Sequence, residues 1–326
     1  QFEEKIAKLC NTKYAVSLNS GTDALTLALH LVGVKRDDEV ITVPNSFVAT
    51  TAVIVHLGAK PIFVDVCQDQ NIDVSLLEKA ITKKTKAILP VHLTGRIADM
   101  KKIIRIANKY NIPVIEDAAQ SIGSLYYNKP SGSFGKIGCF STHPLKNLNS
   151  CGDGGFLTTN DKTIYEKATI LRTHGLVNRD ESIQFGFVSR MDSLQAAILN
   201  YRLTKLKDIL IKRRKNANFY FNNLSGKHIQ LPVEKEYEYN TYHTFTIQID
   251  ERDSLQNYLK ENDISTAIHY PIPNHLQPAA DNLGYIKGDF PMVERLSNRI
   301  LSLPVHQYLK RTDLEKVVNK INNFFM

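Results

Sequence analysis

The stretch KAILPVHLTGRIADMKKIIRIANKYNIPVIEDA, residues 86–118, holds two short apolar runs with a helical pattern between them. KAILPVHL (86–93) and IPVIEDA (112–118) are short for helices and lack the polar alternation of a strand with one wet face. The intervening ADMKKIIRIANKYN (98–111) is amphipathic, its isoleucines set against lysines and an arginine. Two strands buried on both faces and joined by a helix pack most simply as parallel neighbours. The same alternation continues in both directions. Upstream, DEVITV (38–43) and KPIFVDV (60–66) read as strands, while TDALTLALHLVG (22–33), VATTAVIVHLG (48–58) and VSLLEKAI (74–81) read as helices. Downstream, IGCFST (137–142) and GFLTT (155–159) read as two more strands. The pattern predicts an α/β protein built on a mainly parallel sheet with both faces covered.

After Asp192, a candidate N-cap, residues 193–224 form one long helical pattern of a length suited to a spacer between domains. Beyond about residue 220, TYHTFTIQID (241–250), DSLQNYLKEND (253–263) and the loop-rich HYPIPNHLQPA (269–279) predict a smaller α+β domain. The expected division is a large domain, residues 1–219, and a small C-terminal domain, residues 220–326.

With 326 residues, 43% of them hydrophobic and 23% charged, the chain has ample core for such a protein. Its net charge is +8, with local excess in TKKTK (82–86) and LKDILIKRRKNA (206–217). Neither forms the basic stripe interleaved with exposed aromatics that nucleic-acid binding wants. Both read as solvated helix faces that also favour anionic substrates. No apolar run approaches ~18 residues, so no membrane span is expected. Cys10, Cys67, Cys139 and Cys151 share no CxxC spacing, fit a reducing cytoplasm and suggest no metal site. The opening QFEEKIAKLC reads as the middle of an amphipathic helix, so further residues are expected before Gln1.

In open parallel α/β sheets, ligands bind beyond the carboxyl ends of the strands. Three features fall there. Ser20-Gly21-Thr22 opens an apolar helix, whose N-terminal N–H groups and partial positive charge suit a phosphate; an ordinary Ser/Thr cap is the competing reading. No GxxxxGK[ST] is present, so this is no P-loop. The strand IPVIED ends in Glu116-Asp117, followed by small residues that leave room for a flat ligand. A buried Asp117 facing a heteroaromatic nitrogen would keep that nitrogen protonated, although it could equally cap the next turn. Lys146 sits in FSTHPLKNLNSCGDGGFLTTND (140–161), with a proline before it and glycines after it. Desolvation in such a loop would make its amine nucleophilic, where an ordinary loop lysine is only solvated charge. Phosphate cradle, ring-nitrogen partner and lysine together are the parts that pyridoxal phosphate needs.

These segments resemble the DegT/StrS-type sugar aminotransferases, pyridoxal-phosphate enzymes of fold type I. The likeness runs through NSGTDAL (19–25), VPNSFVATTAVIVHLGAKPIFVDV (43–66), VHLTG (91–95), VIEDAAQSIGS (114–124), residues 132–161, SRMDSLQAAIL (189–199) and HYPIPNHLQPA (269–279). It implies that Lys146 bonds the cofactor aldehyde and then moves a proton between substrate and cofactor carbons. It also implies that Asp117 pairs with the pyridine nitrogen, Gln120 bonds the ring's 3-oxygen, and Phe47 stacks on the ring. Gly21, Thr22 and Ser141 would hold the phosphate. Relatives often carry Asn in a G-x-N-x-R segment, reaching the neighbouring subunit's phosphate. GFVSRMD has Val188 there, which leaves Ser189 or another loop residue to compensate. Members with dehydratase chemistry replace the lysine by His, so Lys146 favours amino transfer.

His143, His269 and His275 are candidates for the cofactor or substrate rim, each with a packed-loop alternative, and His174 and Arg179 for the sugar pocket. The resemblance implies a cytoplasmic homodimer with active sites at the interface. It would use L-glutamate and a nucleotide-linked keto-6-deoxysugar to make amino sugars for surface glycans such as lipopolysaccharide. HGLVNRDE with SRMDSLQAAIL is most similar to enzymes that aminate carbon 3 of dTDP-3-keto-6-deoxyhexoses. Carbon-4 amination of dTDP- or UDP-linked sugars is the alternative. Two rivals are a cofactor-binding regulatory protein without turnover and another pyridoxal-phosphate reaction, such as desulfuration through Cys151.

Overall fold

The computed structural model describes residues 1–224 and 226–326 of the chain. Seven strands form the main sheet: β1 (Tyr14–Leu18), β2 (Glu39–Thr42), β3 (Lys60–Phe63), β4 (Thr85–Ile88), β5 (Ile115–Asp117), β6 (Ile137–Ser141) and β7 (Gly155–Thr159). Across the sheet the order is β3-β2-β4-β5-β6-β7-β1. β4 meets β5 through parallel bridges at Ile88–Val114 and Val91–Asp117. β7 runs against both its neighbours, and the other pairs are parallel. The expected mainly parallel α/β sheet is therefore present, with one reversed strand. The sequence reading missed β1, the edge strand beside β7.

Each buried apolar run has its covering helix. Gly21–Leu31 buries Ala24, Leu25, Leu27, Ala28 and Leu29 against β6 and β7. Met100–Lys109 buries Met100, Ile103 and Ala107, and Asp99 caps it by accepting from the Lys102 N–H at 3.2 Å. The predicted helix over 74–81 is shorter: one α turn, Val74–Leu77, passes into a 3-10 turn, Glu78–Ala80. Asp192 does precede the long helix, Ser193–Asn223, but its side chain makes no capping hydrogen bond. That helix has 31 residues and spans about 46 Å at 1.5 Å per residue. No helix among the described residues is long and apolar enough to cross a membrane.

The C-terminal part carries its own antiparallel pair, Phe245–Gln248 with Ile300–Leu303, covered by helices Arg252–Glu261 and Arg311–Phe324. Phe245, Leu255, Leu259, Leu301 and Ile321 form its core together with Ala217 and Tyr220 from the long helix. A cut at 219/220 therefore passes through the helical turns that this core shares. Phe290, Val293 and Leu296 pack the other way, into the cluster around Phe63 and Met100.

Strand alternation in β5 sends Glu116 and Asp117 to opposite faces. Glu116 is fully buried and accepts from the N–H groups of Gly132 (2.8 Å), Phe134 (2.7 Å) and Gly135 (2.7 Å). The Ala98 N–H points at His92 Nδ1, so His92 donates from Nε2 to Glu116, at 2.9 Å. One carboxylate thus fastens the 132–135 loop beneath β6. Glu116→Ala should leave four donors unpaired and cost about 3 kcal/mol of folding stability or more. Urea unfolding measures it; a loss within ordinary surface-substitution range would show the loop is held by other means.

Candidate active site

A cavity of about 610 Å³ opens beyond the carboxyl ends of β1, β2, β5 and β6, and Asp117, Ser141 and Lys146 all line it. Each part arrives for a local reason. β5 delivers Asp117, whose carboxylate accepts from Thr50 Oγ1 at 2.7 Å and from the Ala119 N–H at 3.2 Å. Thr50 belongs to the first turn of helix Val48–His56, so that helix and the sheet clamp one acid between them.

Lys146 lies in a turn closed by its N–H on the His143 carbonyl at 2.8 Å. Among the described residues its amine has no hydrogen-bond partner and no ion pair. Burial pushes its pKa below the ordinary lysine value, opposed by the charge of Asp117. A half-buried amine whose pKa is lowered needs less help from a base to act as a nucleophile.

Ser20 caps helix Gly21–Leu31 by accepting from the Asp23 N–H at 3.0 Å, so the ordinary cap reading holds for that hydroxyl. Gly21 behind it is forced by space, since a Cβ there would lie 2.7 Å from the Ser141 Cβ. The glycines after Lys146 answer to packing as well. A Cβ on Gly155 would lie 2.3 Å from the Ser20 carbonyl carbon, and one on Gly154 would lie 2.3 Å from Thr142 Oγ1. They bring β7 against the helix start, and so keep the cradle narrow.

The remaining candidates separate. Phe47 stands at the cavity edge, 6.1 Å from the Tyr270 ring and largely exposed. Gln120 accepts the Thr94 N–H at 2.8 Å, which aims its amide nitrogen at Tyr270 Oη, 3.2 Å away. His143 is exposed at the rim, its Nδ1 accepting from the Leu145 N–H at 3.3 Å. His269 lines the cavity with Nδ1 2.9 Å from Ser302 Oγ. His275 does not reach it: its Nε2 lies 3.0 Å from Glu294 Oε1, and the ring is buried against Phe290 and Phe63. His174 and Arg179 are exposed on the segment between the Thr173–Val188 bridge ends and line no part of the cavity. Val188 points its apolar side chain to solvent, while Ser189 is buried with its hydroxyl 3.5 Å from Asn19 Oδ1. Thr50, His243 and Tyr270 also line the cavity and were missed. Tyr270 adjoins a quoted histidine; Thr50 and His243 sit in ordinary helix and strand patterns.

Residues 1–322 match the DegT/DnrJ/EryC1/StrS aminotransferase family. The chain belongs to that family. A pleiotropic regulatory protein of Geobacillus stearothermophilus is 41% identical over 329 residues, covering 100% of this chain and 88% of its own. A dTDP-3-amino-3,6-dideoxy-alpha-D-galactopyranose transaminase of Aneurinibacillus thermoaerophilus is 39% identical over 99% of this chain and 89% of its own. The crystal structure of S. venezuelae DesV in complex with a ketimine intermediate matches with a TM-score of 0.97 at 36% identity, covering 99% of this chain and 88% of that one.

As a member of the DegT/DnrJ/EryC1/StrS aminotransferases, the protein is an aminotransferase whose cofactor is pyridoxal 5′-phosphate. Its own residues fit that group: a half-buried amine without a protein partner among the described residues, an acid lining the same cavity, and a helix N-terminus whose first glycine lets Ser141 approach. Gly21→Ala should fill the cradle and weaken cofactor affinity about tenfold or more, read by fluorescence titration of the apoprotein. Unchanged affinity would place the phosphate elsewhere.

Proposed function

We propose that this aminotransferase moves the amino group of L-glutamate onto a nucleotide-linked keto sugar, at carbon 3 of a dTDP-3-keto-6-deoxyhexose. Amino transfer to a nucleotide sugar is what the family and the Aneurinibacillus relative's name support. The carbon and the nucleotide rest on that relative's name and on the likeness of HGLVNRDE with SRMDSLQAAIL. The observation that carries the chemistry is the Lys146 amine, half-buried and without a protein partner among the described residues, in the cavity that Asp117 shares.

When bound, pyridoxal phosphate supplies an electrophilic aldehyde carbon and an electron-withdrawing ring. The protein does the rest. Lys146 would offer its amine to that carbon, its pKa lowered by desolvation and held up in part by the charge of Asp117. Asp117, fixed by Thr50 and the Ala119 N–H, holds the proton on the ring nitrogen. Gln120, its oxygen engaged by Thr94 and one N–H aimed at Tyr270, would have its second N–H for the ring's oxygen substituent. Gly21, Thr22 and Ser141 receive the phosphate at the helix start. With its amine free of the cofactor, Lys146 would be placed to carry a proton between neighbouring carbons, out on glutamate and back on the sugar. The products are 2-oxoglutarate and the amino sugar.

The active unit is proposed to be a homodimer with sites at the subunit interface. Phe47 and Leu145 line the cavity yet lie largely exposed, and Phe185, Val188 and Leu194 leave further large apolar side chains uncovered. His174 and Arg179, which do not line this chain's cavity, would then serve the partner's. A cytoplasmic setting and a surface-glycan product complete the reading. The Geobacillus relative's name would suit a regulatory protein without turnover, but no residue in the cavity favours that over amino transfer.

The test offers dTDP-3-keto, dTDP-4-keto and UDP-4-keto sugars side by side with glutamate and locates the new nitrogen by NMR. Amination at carbon 3 of the dTDP sugar is expected. Preference for a 4-keto or UDP-linked substrate would overturn the assignment while leaving the transaminase chemistry intact.

A further inference from the structure

Tyr270 stands in the cavity wall with a hydrogen to spare. Thr94 takes a left-handed φ of 62°, rare for a β-branched residue, and its N–H meets Gln120 Oε1 at 2.8 Å. A backbone N–H can only donate, so that contact fixes which end of the Gln120 amide is oxygen. The nitrogen end, 3.2 Å from Tyr270 Oη, is therefore the donor and the phenol oxygen the acceptor. Tyr270 Oη has no other hydrogen-bond partner among the described residues, so its own hydrogen is unspent on a wall of the cavity. Burial and the charge of Asp117, opposed by the Gln120 hydrogen bond, push the phenol pKa up to about 12, so that hydrogen stays on at neutral pH.

Where this hydrogen can be used follows from amide geometry. The two N–H bonds of Gln120 diverge by about 120°, so their acceptors, each about 3 Å from the nitrogen, lie about 5 Å apart. With the second N–H given to the ring's oxygen substituent, as proposed, the Tyr270 hydroxyl is too far from that oxygen to share it. It stands instead toward the open edge of the cavity, where the Phe47 ring lies 6.1 Å from its own. The two substrates proposed above have one fragment in common: an oxygen on the carbon next to the one that carries nitrogen. In glutamate that oxygen belongs to the α-carboxylate, in the sugar to a hydroxyl beside the carbonyl. Among the described residues lining the cavity, Lys146 is the one lysine or arginine, and its amine is reserved for the cofactor. A carboxylate bound there must therefore rely on neutral donors.

We infer that Tyr270 is a substrate-binding residue whose O–H donates to the oxygen beside the nitrogen-bearing carbon: the α-carboxylate of the amino donor in one half-reaction, a sugar hydroxyl in the other. One donor thus serves two dissimilar substrates through the fragment they share. The inference rests on the proposed placement of Gln120 beside the cofactor ring.

The test compares the holoenzyme with Tyr270→Phe, which keeps the ring beside Phe47. Rapid mixing with L-glutamate alone separates binding from the limiting rate of the first half-reaction. Glutamate affinity should fall about tenfold to a hundredfold, the loss of a hydrogen bond to a charged group. The limiting rate should stay within about threefold and cofactor affinity within about twofold, since Gln120 keeps its second N–H. The second arm takes the pyridoxamine-phosphate form and offers a dTDP-linked 3-keto sugar beside its analogue lacking the neighbouring hydroxyl. Wild type should favour the hydroxylated sugar by about fivefold, and the variant should not. Unchanged glutamate affinity, or a sugar preference that survives, overturns the inference. A loss confined to cofactor affinity does so too, because it puts the phenol on the cofactor. Should the variant misfold, difluorotyrosine placed at position 270 keeps the shape and strengthens the donor. Glutamate should then bind about twofold tighter or more, and no change would refute the contact. Failure of glutamate to bleach the wild-type cofactor would count against the donor assignment alone. L-Alanine or L-glutamine, which carry the same α-carboxylate, would then serve the comparison.

Discussion

Lys146→Ala should leave a folded protein whose turnover is down by about four orders of magnitude or more. The first half follows from what the side chain lacks: its amine makes no hydrogen bond or ion pair among the described residues, so truncation orphans nothing. The second follows from its double task, since one amine both anchors the aldehyde and carries the proton between carbons. The variant should still bind pyridoxal phosphate through the helix start and Asp117, but reversibly and without a borohydride-trapped bond. Added glutamate should no longer bleach the cofactor's visible band on a catalytic timescale. A variant that turned over within tenfold of wild type would show that another group does the work.

Asp117→Asn is expected to slow turnover by about three orders of magnitude, because the neutral amide cannot hold a proton on the pyridine nitrogen. The change is nearly isosteric. An amide oxygen can keep the Thr50 hydroxyl at its 2.7 Å contact, at the expense of the longer Ala119 contact. Stability should therefore fall little, and affinity less than rate. Both half-reactions should slow together, since the same ring serves each. Single-turnover kinetics with glutamate read the effect. Unchanged half-reaction rates would remove Asp117 from the chemistry.

Where one physical constraint dominated, the residues read clearly. Runs such as IPVIEDA have few folds open to them once both faces are apolar, and the sheet they imply is the one observed. β1 escaped because Tyr14 and Ser17 interrupt the apolar run in YAVSL on the sheet edge, where a reversed neighbour rather than periodicity defines it. Lys146 and Asp117 stood out because each sits where a surface charge would be ill at ease. His243 did not, since alternation in TYHTFTIQ already accounts for it as strand. The histidines of HYPIPNH are alike in sequence and unlike in place. His269 faces the cavity while Phe63 and Phe290 close over His275, and only packing across distant segments decides that. Likewise the space around Gly21 is defined by Ser141, far along the chain.

The most direct measurement is borohydride reduction of the wild-type holoenzyme, followed by peptide mapping. A single peptide should carry the reduced cofactor, and fragmentation should place it on Lys146. Cofactor mass on any other lysine, or on none, would contradict the account.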